Sequence, residues 1–205
     1  MTGAKGMTGI EQRLRHYYDR EMALRAKRPL GEQREARLSE FVRLCRDVGL
    51  SSVVEVGCGA GRDGKVLAAS GLAYKGVDLS EASVDLCRAL GLETVAGSAK
   101  DLPYADDEFD AGWSMSTLMH LPGHGMEVAL SELHRVIRRG GVLELGVWGA
   151  DESGEWTDEH GRYFRSRTDD ELRTLLSDVG EVTHFDTWSR FEDGGHYQWA
   201  RVAVK

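Results

Sequence analysis

Apolar residues along this chain follow two rhythms, and the points where one gives way to the other mark its elements. Ile10, Leu14, Tyr17 and Leu24 recur at helical spacing behind Thr8 and Glu11, which are placed as a capping box. The helix they predict must end by Pro29, because proline pushes the residue before it out of the helical region. A second helix is expected from Glu32 to Val48, with Leu38, Phe41, Val42 and Cys45 on one face and Gly49 as its stop. The rhythm then changes. Val53 to Val56 carries no polar alternation beyond one glutamate, the pattern of a short strand covered on both faces. Ahead of all this, Met1 to Met7 is glycine-rich and expected to be loose.

The alternation continues downstream. Helical spacing over Arg62 to Ser70 leads to a strand at Lys75 to Asp78, and Ser80 is placed to cap a helix that Gly91 stops. Strands are expected at Leu92 to Val95 and Phe109 to Trp113, the second behind a loop with Pro103 and the acidic run Asp106 to Glu108. Met126, Ala129, Leu130, Leu133 and Ile137 predict a helix over Gly125 to Arg138, with Arg138 and Arg139 suiting its C-terminus and Gly140-Gly141 ending it. Val142 to Val147 is the next strand. Strands alternating with helices make an α/β fold whose parallel sheet is wound on both sides. A second capping box, Thr168 with Glu171, opens a helix carrying Leu172, Leu175, Leu176 and Val179. Val182 to Trp188 and Tyr197 to Val204, joined by a loop with Gly194-Gly195, read as a hairpin that adds an antiparallel strand. One domain over 1–205 accounts for the pattern: helices in 1–50, a binding core in 51–148, and a loop, helix and hairpin on the substrate side in 149–205. The first helix is either packing over one edge of the sheet or a lid whose Tyr17 and Tyr18 close over a ligand.

Composition narrows the function. The formal net charge is −8, which disfavours nonspecific contact with nucleic acid or an anionic membrane. Cys45, Cys58 and Cys87 have no metal-type spacing, so they read as buried thiols of a reducing compartment and no metal site is expected. No apolar run has membrane-spanning length, and a soluble cytoplasmic protein is expected.

The chemistry centres on Val53 to Gly61, Val-Val-Glu-Val-Gly-Cys-Gly-Ala-Gly. Gly57, Gly59 and Gly61 allow a turn that side chains would block, so backbone amides can approach a ligand at the end of the strand. Asp78 then ends the next strand, about twenty residues on, where a ribose-binding carboxylate belongs. A three-glycine turn alone also serves plain tight connections. A strand, a glycine turn, a helix and a strand ending in Asp is much more specific.

Glu55 to Gly61, Val77-Asp78-Leu79-Ser80, Gly97 to Pro103, Phe109-Asp110, Leu118 to Pro122 and Glu132 to Gly141 stand in an order that resembles the class I S-adenosylmethionine-dependent methyltransferases. The resemblance is close over Val53 to Val147 and looser in the hairpin. It implies a Rossmann-like three-layer α/β/α sandwich with a mostly parallel seven-stranded sheet and a C-terminal antiparallel hairpin strand. It also implies S-adenosyl-L-methionine as cofactor and S-adenosyl-L-homocysteine as product. Carried over by position, Gly57, Cys58, Gly59 and Gly61 would pass under the methionine moiety, with Glu55 near its amino group. Asp78 would hold the ribose hydroxyls, Leu79 would pack on adenine, and Ser98 and Ala99 would meet the adenine edge. Ser98 departs from the commoner Asp at that place. Ser114 and Met115 would lie beside the sulfonium, and His120 falls where many relatives have a histidine near the active site, which makes it the candidate catalytic residue; Tyr17 joins the cofactor-binding residues on the lid reading of the first helix.

A sulfonium methyl is already activated, so the site must chiefly align a nucleophile in a water-poor pocket. Trp113, Met115, Met119, Trp148, Trp156, Tyr163 and Phe164 could wall it, each with ordinary packing as its alternative. His120, His124, His160 and His196 are possible proton acceptors, with His120 best placed just past the fourth strand. Arg162, Arg165 and Arg167 are either a surface face or a hold on an anionic substrate. The leading expectation is methyl transfer to O, N or C of a small molecule by a monomer or homodimer. A wobble-uridine tRNA methyltransferase, a nicotinamide-dependent oxidoreductase and a cofactor-binding protein without turnover stay open beside it.

Overall fold

The computed structural model describes residues 8–189 and 195–205; the expectations for Met1 to Met7 and for Gly194 lie outside the described residues. In chain order the elements are α1 (Gly9–Arg25), α2 (Glu32–Asp47), β1 (Ser52–Val56), α3 (Arg62–Ala69), β2 (Ala73–Asp78), α4 (Glu81–Ala89), β3 (Thr94–Ala96) and β4 (Phe109–Met115). A single 3-10 turn (Leu118–His120) leads into α5 (Gly125–Val136) and β5 (Ile137–Gly149). The chain closes with β6 (Gly154–Thr157), β7 (Tyr163–Ser166), α6 (Asp169–Ser177), β8 (Gly180–Ser189) and β9 (His196–Val204).

The main sheet has seven strands in the order β3-β2-β1-β4-β5-β9-β8. Strands β1 to β5 run parallel, β9 is antiparallel to β5, and β8 is antiparallel to β9. This is the mostly parallel seven-stranded sheet with a C-terminal antiparallel hairpin that the sequence predicts. Strand order reverses at β1, between β2 and β4, and this crevice is where such sheets hold ligands.

Alternate strand residues feed two apolar layers. Val54, Val56, Leu143, Leu145 and Val202 pack with Leu130 and Leu133 of α5 and Leu172 and Leu176 of α6. Val53, Ala111, Trp113 and Trp199 pack on the other face with Leu38, Phe41 and Cys45 of α2 and Leu67 of α3. Burial on both faces explains the nearly continuous apolar reading of β1 and β4.

Both capping boxes form, at Thr8 with Glu11 and at Thr168 with Glu171. Three expectations need correction. The first is the inner face of α1, which buries Leu14, Tyr17 and Met22 while Leu24 is 56% exposed. Next, α5 stops at Val136, and Ile137 to Gly141 belong to β5 instead of to a helix end. Ile137 pairs with Phe109 across a register shift, and the Arg138 Nε donates to Asp110 Oδ1 at 2.6 Å. Burying β-branched Ile137 in the sheet outweighs the helical spacing that seemed to claim it. Finally, the segment expected as a loop after β5 contains a separate hairpin. Trp156 opposes Phe164 and Thr157 opposes Tyr163, closed by a turn in which Asp158 Oδ1 accepts from the amides of His160 and Arg162.

Candidate active site

The turn after β1 forms the floor of a cavity at the centre of the sheet. Gly57, Gly59 and Gly61 all take positive φ, at 85°, 51° and 71°. The amides of Gly57 and Cys58 both donate to the Val77 carbonyl, at 2.7 and 3.2 Å, which draws the turn over β2. The Gly59 amide donates to Asp78 Oδ2 at 2.8 Å, and the Ser80 amide donates to Oδ1 at 2.9 Å. Asp78 therefore fixes the turn and the start of α4 together. Burial pushes its carboxyl above the usual range, and the two amide bonds oppose that shift. A Cβ at Gly57 would overlap the Thr117 side chain.

Gly57, Cys58, Gly59, Asp78, Leu79, Ser98, Ala99, Met115 and His120 all line this cavity, at the carboxyl ends of β1, β2 and β4. The other expected residues do not. Gly61 caps α3, and a Cβ there would press on Leu92 and Cys87, so it serves packing. Glu55 accepts from the Tyr74 hydroxyl at 2.6 Å beneath the floor, 2% exposed. Burial, and then the nearby Asp63 charge, hold its carboxyl well above the usual carboxylate range. Ser114 is fully buried and donates to the Val56 carbonyl at 2.9 Å, tying β4 to β1. Tyr17 also points away from the cavity: its ring stacks on His160 at 5.5 Å and takes the Arg162 guanidinium at 4.8 Å. Its neighbour Tyr18 faces inward instead, with Ser116 and Thr117 as further lining residues that sequence reading passed over.

His120 is 4% exposed, and both of its ring nitrogens are engaged. The Nδ1–H donates to the Tyr163 carbonyl at 2.7 Å, leaving Nε2 as an acceptor for the Tyr18 hydroxyl at 3.0 Å. Burial, the largest cause, and the Arg162 and Arg25 charges lower its pKa to about 4, against the pull of the Tyr163 bond. The imidazole is neutral near pH 7. The aromatic residues expected as walls divide in place. Trp148, Phe164 and Trp156 form a stack with Phe164 set 4.5 Å from His120, whereas Met119 is core.

Helix α1 lies across the mouth. Glu11 Oε1 pairs with Lys100 at 2.8 Å, Ser80 donates to Asp19 at 2.7 Å, and Arg15 pairs with Glu81 at 2.8 Å. On the α2 side, Arg34 grips Asp63 through Nε at 2.8 Å and Nη2 at 2.5 Å, and Trp113 Nε1 donates to the same carboxylate at 2.7 Å. Arg34 is pulled down by burial and up by Asp63, and the ion pair wins. The expected basic cluster does not assemble. Arg162 pairs with Asp158 at 2.6 Å, Arg165 donates to the Gly123 carbonyl, and buried Arg167 lies 3.7 Å from Glu127. Of the remaining histidines, His196 bonds Asp169 and His124 pairs with Glu127 on the surface. No helix among the described residues is long and apolar enough to cross a membrane.

Comparison with known proteins bears on this geometry directly. The methyltransferase domain family matches residues 54–145, which run from β1 through β5 and carry the glycine turn, Asp78 and His120. Among curated proteins, the chain is 35% identical over 127 residues to methyltransferase GfsG of Streptomyces halstedii, covering 57% of this chain and 45% of that protein. It is 39% identical over 103 residues to the fatty-acid O-methyltransferase of Mycolicibacterium smegmatis, covering 47% and 37%. The chain thus spans less than half the length of these relatives. Among solved structures, the Burkholderia thailandensis 1,6-didemethyltoxoflavin-N1-methyltransferase, with its substrate and S-adenosylhomocysteine bound, superposes with a TM-score of 0.76 at 19% identity. That superposition covers 99% of this chain and 93% of the other, and it speaks for the fold. The glycine turn reads Gly-x-Gly-x-Gly and not Gly-x-Gly-x-x-Gly, which leaves the oxidoreductase reading without support. By motif order, family match and sheet topology, the chain is similar to the S-adenosylmethionine-dependent methyltransferases, with residues 54–145 matching the methyltransferase domain itself.

Proposed function

We propose that this chain binds S-adenosylmethionine in the cavity above β1, β2 and β4 and methylates a small-molecule acceptor. The observation that carries the reading is the coupled turn: glycines at positive φ whose Gly59 amide is held by the Asp78 carboxylate. Such a cradle leaves room for backbone approach and keeps a carboxylate oxygen beside it for ribose hydroxyls. Leu79 would pack on adenine, Ser98 and Ala99 would meet its edge, and Met115 and Ser116 would flank the sulfur.

When bound, the cofactor supplies a methyl group already activated for displacement. The protein has to exclude water and orient the nucleophile along the C–S axis. His120 suits that task. With its Nδ1–H committed to the Tyr163 carbonyl, Nε2 accepts a hydrogen bond from an acceptor O–H or N–H once Tyr18 yields its place. A hydroxyl becomes strongly acidic as it is alkylated, so even an imidazole with pKa about 4 takes its proton. The net charge of −8 and the separate engagement of Arg162, Arg165 and Arg167 support a small acceptor over RNA.

Calorimetry tests the cofactor half: S-adenosylhomocysteine binds and NAD does not. Transfer of labelled methyl to an acceptor tests the rest. A protein that binds the product yet labels no acceptor in a broad panel would leave a cofactor-binding role without turnover.

A further inference from the structure

A second cavity, of about 400 Å³, adjoins the first and shares Arg34, Met115 and Ser116 with it. Four aromatic side chains, Trp113, Trp188, Tyr197 and Trp199, line it on the sheet side, opposite Glu32, Gln33, Arg34 and Arg37 of α2. We propose that this chamber is the acceptor site, and that it takes an uncharged planar aromatic or heteroaromatic molecule, presenting its nucleophile past Met115 and Ser116. The inference rests on the methyl-transfer reading above and names its substrate class.

Four observations carry it. A pocket of this size beside four large rings falls within the range of small-molecule sites. The rings are arranged as flat surfaces. Trp188 and Tyr197 oppose each other on β8 and β9 and stack at 4.9 Å with 23° between planes. Trp199 lies flat enough to take the Arg37 guanidinium at 4.5 Å from its centre. The cations at the rim are already neutralised, Arg34 by Asp63 and Arg37 by Glu40 and Asp186, so the chamber offers no free charge to an acid. Lastly, the partition between the two cavities is a special piece of backbone. Among the described residues, Ser116 is one of two non-glycine positions at positive φ, 58°, and its hydroxyl lies 3.1 Å from that of Tyr197. Strained conformations of this kind gather at functional sites. The partition can stay thin because Gly146 has no side chain: a Cβ there would strike Tyr197 and Met115. Two hydroxyls thus mark the doorway beside the aromatic wall, an arrangement that orients a ring by its polar edge.

The test uses the full chain, with 2-naphthol and 8-hydroxyquinoline as aromatic probes and decanoate as an extended acyl chain. Each is titrated by calorimetry with and without saturating S-adenosylhomocysteine. Both aromatic probes are expected to bind and decanoate is not. Trp188→Ala should weaken the aromatic probes about ten-fold, with Trp188→Phe restoring most of the affinity. Affinity for S-adenosylhomocysteine should be unchanged in both variants, which also shows that they fold. Unaltered probe binding in Trp188→Ala, no aromatic binding in the wild type, or tighter binding of decanoate would overturn the chamber. A protein that binds the aromatic probes but not S-adenosylhomocysteine would instead overturn the methyl-transfer reading.

Discussion

The two sides of the cavity are built from different materials. The side proposed for the cofactor is made of backbone: the amides of Gly57 and Cys58 lie on the Val77 carbonyl, and that of Gly59 lies on Asp78. All of it comes from adjacent strands at the centre of the sheet. The opposite side is made of side chains from separate segments: Tyr18 of α1 and His120 of the 3-10 turn, the latter backed by Phe164 and the Tyr163 carbonyl of β7. Backbone geometry tolerates almost no substitution, because any Cβ changes the path of the chain. A wall of side chains can be rebuilt residue by residue without moving the floor. One scaffold can thus keep a fixed donor site under a replaceable acceptor site.

The sharpest way to break this contrast is at its backbone end. Gly57→Ala forces a Cβ into Thr117 at a φ of 85°, adding left-handed strain to a steric overlap. A loss of about 2–5 kcal/mol in stability or S-adenosylhomocysteine binding is expected, read by thermal unfolding and calorimetry. Near-normal values for both would mean that the turn is not the rigid floor described. On the side-chain wall, His120→Ala should lower turnover by about 10²–10⁴-fold while leaving S-adenosylhomocysteine affinity unchanged. A parallel loss of cofactor affinity would move His120 to the floor.

The same histidine sets a pH dependence whose sign is fixed. In the unfolded chain it takes a proton near about 6.5, whereas in the fold it does so only at about 4. Between those values the unfolded state binds more protons, so stability rises with pH through the window and is complete above it. The contribution lost by acidifying to the lower end is about 3 kcal/mol. Comparing unfolding of the wild type and His120→Asn across pH 4–7 isolates it, since the buried carboxyls are common to both. Equal pH slopes would show that the ring is not held neutral.

The contrast also explains how much could be read before the fold was known. The floor was legible because its parts are consecutive: Val53 to Gly61 and Val77 to Ser80 announce a strand, a turn and a carboxylate by residue type alone. Glu55, Gly61 and Ser114 sit in the same motifs but face the packing beneath, and spacing cannot say which side of a strand meets the cavity. Tyr17 and Tyr18 illustrate the limit at single-residue scale. Both are aromatic on one helix, and the crossing of α1 over α4 decides that Tyr18 turns inward. The β6–β7 hairpin was missed although Asp158 and Gly161 lie where a turn should, because one exposed strand carries little apolar pattern. Ile137 misled for the opposite reason, fitting a helix by spacing and a strand by shape.

Smaller effects probe the links between the two sides. Asp78→Ala removes the acceptor of the Gly59 and Ser80 amides and, in this proposal, of the ribose hydroxyls. S-adenosylhomocysteine affinity should fall by about 1–3 kcal/mol, and no change would place the ribose elsewhere.

Tyr18→Phe is the mildest test and the most discriminating. It deletes one hydroxyl, whose partner is His120 Nε2 at 3.0 Å, and keeps the ring packed beside Arg25 at 5.1 Å. A hydrogen bond of this kind is worth about 0.5–1.5 kcal/mol. If that bond chiefly holds α1 shut over an empty site, its loss should speed entry of the cofactor and leave turnover within a few-fold, because an acceptor displaces the hydroxyl anyway. If Tyr18 instead orients His120 during the reaction, turnover should fall with no change in cofactor entry. Stopped-flow binding of S-adenosylhomocysteine beside steady-state turnover separates the two. The first outcome is the one expected here, since the Tyr163 carbonyl already fixes the imidazole through Nδ1 without help from α1.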